Sequence, residues 1–335
     1  MSNQHLVSAV IPTYNRPSLV LKAMNSVLNQ THSNLEVIVV VDGPDESTEK
    51  GLGAIADPRI RIITLPQHQG ACGARNAGVQ AAKGEWVAFL DDDDEWLPSK
   101  TELQLSAARR STHSIPVVSC RIIARMPQGD YVWPRRFPAP EEPISEYLFR
   151  RKSLSCGEAI MGTQTLVTKR ELLLQHPFRQ GLRKHQDSDW VIRVAGLEGV
   201  GFEFEPNPLA VVLVNQTFPS ITNSVDWRSS LSWIEDVREQ ITPKAYASFI
   251  LLHVARQAAP VAKTREYGRL LELAFRRGEP DFFHILLYVG MRLVPRQARR
   301  ELRCLFEKSI DKFLRIVRRG ELAGSASRPA PGRAA

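Results

Sequence analysis

Residues 86–96 (WVAFLDDDDEW) constrain the chain more than any other stretch. An apolar run of strand length breaks off into five consecutive acids, Asp91, Asp92, Asp93, Asp94 and Glu95. β-branched and aromatic residues in such a run point to a buried strand of a parallel sheet. Ligands of open α/β sheets sit beyond the carboxyl ends of the strands, which is where these acids fall. Adjacent carboxylates repel one another. A hard divalent cation, Mg²⁺ or Mn²⁺, held by carboxylate oxygens with phosphates alongside, relieves that repulsion. A solvated acidic turn capping a helix that starts near Pro98 is the plainer alternative, and this stretch alone leaves both open.

The surrounding pattern favours a sheet. Residues 6–11 (LVSAVI), 35–41 (LEVIVVV), 60–65 (IRIITL) and 86–90 read as strands. Helical spacing lies between them over residues 18–30, 45–56 and 74–82, with Gly70 and Gly73 marking a loop before the last. Strand and helix alternating at this spacing predict a doubly wound parallel sheet with right-handed crossovers. The polar residues at its carboxyl edge then matter together. Asp42 closes the second strand, either as a turn aspartate or as an acceptor for a base or ribose. Arg75 and Asn76 open a helix after glycines, where an arginine either neutralises phosphate or makes a surface salt bridge.

With 335 residues, the chain is long enough for a large α/β domain plus an appendage. Its net charge of +8 comes largely from arginines after residue 275, which suits an anionic membrane surface or nucleic acid. Zinc-finger spacing and aromatic–basic RNA motifs are absent from the sequence, so nucleic acid is not expected as a partner. Cys72, Cys120, Cys156 and Cys304 have no paired spacing and read as thiols of a reducing compartment. A polar start leading straight into a strand shows no signal peptide, and no apolar run reaches the length of a bilayer span. A cytoplasmic protein is the expectation, with possible attachment at the inner face of the plasma membrane.

Four blocks in order, residues 7–16 (VSAVIPTYNR), 39–43 (VVVDG), 70–78 (GACGARNAG) and 89–96 (FLDDDDEW), resemble the family 2 glycosyltransferases. A later segment, 184–190 (KHQDSDW), is similar to that family's acceptor-side motif. Gln186 stands where the family usually has Glu, and Asp42-Gly43 is shorter than the usual Asp-Asp-Gly. The resemblance implies a GT-A fold, here residues 1–228; helical spacing then predicts a helical extension over 229–319, and a composition rich in Ala, Gly, Pro and Ser a disordered tail over 320–335. The resemblance also implies inverting transfer of a sugar from a nucleotide-sugar donor, commonly a UDP-sugar, to a glycan or lipid-linked acceptor in surface polysaccharide or lipopolysaccharide synthesis.

Carried over by position, Pro12, Tyr14 and Arg16 would shape the nucleotide pocket and Asp42 would bond the base. Arg75 would face the diphosphate or hold the acidic loop, with Asn76 beside it. Asp91 and Asp93 would hold the divalent cation, Asp92 would touch ribose or sugar, and Asp94 would begin the next helix. Asp187 would be the catalytic base. Asp189 and Trp190 are further substrate-binding candidates, although Asp189 can simply favour a helix start and Trp190 can be core.

Residues 117–126 and 130–133 read as strands on the acceptor side, and 202–204 and 209–214 as two late strands. Asn215 and Gln216 follow where GT-A enzymes sometimes carry a third metal ligand; none is assigned. Residues 245–258, 266–276 and 280–294 have helical spacing, and apolar 282–291 beside arginines suits either a core helix or an interfacial one. A dehydrogenase is excluded because G-x-G-x-x-G does not follow the first strand. The remaining rival is a non-catalytic sugar-nucleotide-binding or membrane-scaffold subunit.

Overall fold

The computed structural model describes residues 5–214, 226–294 and 298. Continuous β-branched runs form β1 (Val7–Thr13) and β2 (Leu35–Val41), both buried along their whole length. β3 (Ile60–Thr64) joins β2, and β4 (Trp86–Phe89) joins the other side of β1, all in parallel. The crossovers are α1 (Pro17–Leu28), α2 (Glu46–Gly53) and α3 (Gly70–Ala81).

α3 begins at Gly70, so Gly70 and Gly73 lie inside a helix and not in the loop expected before Ala74. Glycine ordinarily weakens a helix interior, but a third glycine of α3, Gly78, has a packing reason. A Cβ on Gly78 would stand 2.3 Å from Val10 Cγ1, so only glycine lets α3 lie this close to β1.

Past β4 the chain forms β5 (Glu95–Trp96), α4 (Lys100–Arg110), β6 (Ile115–Met126), β7 (Gly129–Trp133), α5 (Ile144–Phe149), β8 (Val167–Lys169), α6 (Arg170–Gln175), α7 (Gln186–Ala195) and β9 (Val200–Leu213). The nine-stranded mixed sheet runs β3-β2-β1-β4-β8-β6-β9-β5, with β7 on β6. β9 is one strand where the sequence suggested two. Pro206 and Pro208 mimic a break, yet the pairing with β6 passes through by shifting register around Cys120–Ile122.

The extension comprises α8 (Trp227–Asp236), α9 (Pro243–Ser248), α10 (Ala255–Ala258), α11 (Thr264–Arg277) and α12 (Phe282–Leu293), with a π-helical stretch, Phe249–Val254, joining α9 to α10. Its core includes Trp233, Phe249 and Ile250 together with Phe149 of α5 and Ile192 of α7, so it packs directly on the sheet domain. Among the described residues no helix is long and apolar enough to cross a membrane. Asn215, Gln216, the arginines beyond residue 298 and the tail expected over 320–335 lie outside the described residues.

Candidate active site

The carboxyl ends of β1, β2 and β4 meet at one edge. Pro12 lies in a central strand, where it has no N–H to donate to a ladder. Pairing of β1 with β4 accordingly stops at Val10–Phe89, and the chain beyond Leu90 is released into the acidic turn. Thr13 Oγ1 donates to Asp92 Oδ2 at 2.8 Å. Arg16 Nη1 bridges Asp92 Oδ1 and Asp93 Oδ2 at 3.0 and 3.1 Å, placing one positive charge between two carboxylates. Burial raises Asp92 to about 6 and also lifts Asp93; Asp91 adds to both, while Arg16 opposes it.

Asp94 does not begin the next helix. The helix starts at Lys100, and the Asp94 carboxyl is buried. Burial and then Asp91 and Asp93 hold it well above the usual carboxylate range, while the Leu213 backbone bonds it at the end of β9. The sequence could not separate this acid from its neighbours, since direction alone distinguishes them.

On the other side, buried Arg75 reaches Asp91 Oδ1 with Nη2 at 2.6 Å and Gln186 Oε1 with Nη1 at 2.7 Å. Its buried Nε has no acceptor among the described residues. Gln186 begins α7, whose preceding residue His185 has φ +63°, an uncommon conformation for a side chain of this size. Asp187 follows on the first turn, where burial raises its carboxyl to about 6 against the pull of Arg75 and a backbone hydrogen bond from Thr163. The acidic tip and Asp187 are thus brought to opposite sides of one arginine.

Asp42 spends both oxygens on the protein: Oδ1 accepts from Gln69 N at 2.7 Å and Oδ2 lies 2.9 Å from His68 Nδ1. His68 in turn lies against half-exposed Tyr14, ring centroids 4.4 Å apart. Sequence gave no signal for His68, because only the turn after β3 brings it here.

Three expected ligand residues are structural. Asn76 bonds both Phe178 N and Phe178 O through its side-chain amide. Trp190 is fully buried, donates to His176 O and stacks on Phe178. Asp189 is also fully buried, held by Arg179, Arg193 and Trp233 Nε1 at 3.0, 2.9 and 3.1 Å. Asp189 and Trp190, two and three residues past Asp187 on α7, are buried, the plainer of the readings their spacing allowed.

Among the described residues no three His, Cys, Asp or Glu side chains form a ready ligand set for a metal. The donor chemistry nonetheless fits a hard cation: clustered carboxylate oxygens carry excess negative charge, and Arg16 already bridges two of them. Mg²⁺ commonly takes one or two carboxylates and completes its shell with water and substrate phosphates.

The family described as Glycosyl transferase family 2 matches residues 8–175. The chain belongs to this family. The amylovoran biosynthesis glycosyltransferase AmsB of Erwinia amylovora is 30% identical over 296 residues, covering 84% of this chain and 95% of that protein. The putative colanic acid biosynthesis glycosyl transferase WcaA of Escherichia coli K12 is 35% identical over 159 residues, 46% of this chain and 56% of its own. The Escherichia coli protein WfgD, named as a UDP-Glc:α-D-GlcNAc-diphosphoundecaprenol β-1,3-glucosyltransferase, is 32% identical over 176 residues, 52% of this chain and 64% of that one. The matches with WcaA and WfgD thus span less than two thirds of those proteins. The mannosyltransferase PcManGT of Pyrobaculum calidifontis, solved with GDP-Man and Mn²⁺, superposes with a TM-score of 0.54 at 18% identity over 90% of this chain and 84% of its own. The fold of this family 2 chain is therefore GT-A.

Proposed function

We propose that this chain transfers a sugar, with inversion, from a nucleotide-sugar donor to an acceptor hydroxyl in the synthesis of a bacterial polysaccharide. The reading rests on one observation above all: Arg75 joins Asp91 of the acidic tip to Gln186, next to the raised carboxyl of Asp187. In this reading Asp187 takes the proton from the acceptor hydroxyl as it attacks the anomeric carbon, a task suited to a carboxyl lifted towards neutrality. Asp91 and Asp93 would hold Mg²⁺ or Mn²⁺, which when bound would supply Lewis-acid neutralisation of the leaving diphosphate. Arg16 offers charge to phosphate oxygens, Arg75 holds the acidic loop, and Asp92 faces ribose or sugar. Tyr14, with His68 oriented by Asp42, offers a flat surface to the base. A UDP-sugar and a lipid-linked acceptor are supported by the names of relatives such as WfgD.

A thermal-shift screen of nucleoside diphosphates and nucleotide sugars, with and without Mn²⁺, tests the donor half. One nucleotide class should stabilise the protein, more strongly with Mn²⁺, and Asp93→Ala should remove the Mn²⁺-dependent part. No shift with any nucleotide would reject the reading.

We place the extension's outer face on an anionic membrane, where a lipid-linked acceptor would reside. The supporting observation is α12, whose outward side carries Phe282, Leu286, Val289 and Leu293 at 81%, 59%, 39% and 75% exposure, with no acidic residue in the helix and exposed Arg265 and Arg269 on neighbouring α11, where Arg276 is paired with Glu272 at 3.3 Å. Apolar side chains flanked by cations favour an interfacial position on acidic lipid.

A further inference from the structure

We propose that the cavity beside Asp187 receives the terminal ring of the acceptor, that it takes a neutral sugar and rejects a uronic acid, and that Phe249 and His253 of the helical extension set this choice. The inference rests on the transfer reading for the role of Asp187 and goes beyond it in naming the acceptor's chemistry.

The cavity holds about 220 Å³. Its walls come from both parts of the chain: Leu148, Phe149 and Met161 from the sheet domain, Phe249 and His253 from the extension, and His185 and Asp187 from the start of α7. The π-helical stretch turns Phe249 and His253 to the same side, their rings parallel within 10° at 5.0 Å between centroids. Such a stretch inside a helix is uncommon and often marks a functional site. His185 is fixed from behind by Ser230 Oγ at 2.9 Å and by stacking on Trp233.

This lining suits one kind of ligand. The face of an aromatic ring is electron-rich and attracts the weakly positive C–H bonds of a sugar's apolar face; here the partly exposed His253 ring presents that face, held in place by the buried Phe249 ring stacked on it. Asp187 is the single acid among the lining residues, and none of them is lysine or arginine. Burial lowers both imidazoles, His185 to about 4 and His253 to about 3, so neither supplies a cation at neutral pH. Arg151 and Arg256 lie near enough to depress His253 but do not line the cavity. A ring carboxylate would therefore meet Asp187 with no cation in the lining to pair it, since the charge of Arg75 that reaches Asp187 is already shared with Asp91; burying an unpaired charge is costly.

Saturation-transfer NMR on the full chain tests this with matched probes: methyl β-glycosides of glucose, galactose, mannose and N-acetylglucosamine, and the uronic-acid forms of the first three. At least one neutral hexoside should bind, with its uronide at least about tenfold weaker. Ala159→Leu, which fills the cavity from a partly exposed wall position, should abolish the signal while the nucleotide thermal shift remains. Phe249→Leu, which removes the buried ring that positions His253, should weaken binding by about 3–10-fold. A uronide bound as tightly as its neutral partner, a panel that does not bind at all, or an Ala159→Leu protein with an unchanged signal would overturn the proposal. The nucleotide shift is scored separately and decides the transfer reading, so the two can fail independently.

Discussion

Arg75 donates from Nη2 to Asp91 Oδ1 at 2.6 Å, and its side chain is only 5% exposed. A buried guanidinium beside the end of β4 extends its charge to acids from two distant parts of the sequence. Asp91 and Asp187 both draw on its charge.

Removing that charge should therefore cost both stability and transfer. Arg75→Met leaves Asp91 and Asp187 without their shared cation, and losing one partner of a buried pair typically costs about 3–5 kcal/mol. Arg75→Lys should rescue only part of this, because one ammonium cannot span Asp91 and Gln186 as the planar fork does. Urea denaturation of both variants measures it; equal stability of Lys and wild type would refute the bridging role.

Arg16 holds the charge of Asp92 and Asp93 when no other cation is present. Arg16→Gln should lower the melting temperature in chelator and enlarge the gain on adding Mn²⁺, since binding to the folded state stabilises by RT ln(1 + [L]/Kd). Melting curves in EDTA and in Mn²⁺ check this, and an unchanged Mn²⁺ response would count against a cation at these acids.

The β1–β4 half of the sheet was readable because buried parallel strands appear as unbroken apolar runs and their ligand edge has a fixed position. The functions of Asp94 and Asp189 were not, because whether an acid faces the cleft or the core depends on β9 and α8, far away in sequence. α3 was shortened at its start because Gly70 and Gly73 signal a loop, yet both lie inside the helix. Phe249 and His253 looked like ordinary helix residues, and only packing of the extension brought them beside Asp187.

Asp189 links α7 to the extension through Trp233 Nε1 at 3.1 Å, as well as pairing with Arg179 and Arg193. Asp189→Asn should destabilise by about 3–5 kcal/mol. That corresponds to a fall in melting temperature on the order of 10 °C for a chain this long. Transfer by the fraction that remains folded should be retained. Calorimetry together with activity per folded molecule separates this from a catalytic role.

The α12 face gives a simpler test. Leu286→Glu with Leu293→Glu alters only exposed positions. It should abolish co-sedimentation with vesicles of phosphatidylglycerol while leaving the melting temperature within about 1–2 °C, as surface substitutions usually do. Binding that survives the double change would remove the membrane from the account.

Asp187 carries the largest claim. A carboxyl raised to about 6 in the fold, against about 3.9 unfolded, favours the native state at low pH and loses that contribution as pH rises through 6. Transfer runs the opposite way, since the base must be deprotonated: kcat/KM should fall about tenfold for each pH unit below about 6. Asp187→Asn should accordingly be more stable than wild type at pH 7, by about 1–3 kcal/mol. The decisive measurement is transfer and donor affinity of Asp187→Asn at pH 7.5, using the nucleotide sugar that the thermal-shift screen selects. Donor affinity within about twofold of wild type, with transfer reduced by about 10²–10⁴-fold, is the predicted result; turnover equal to wild type would contradict it.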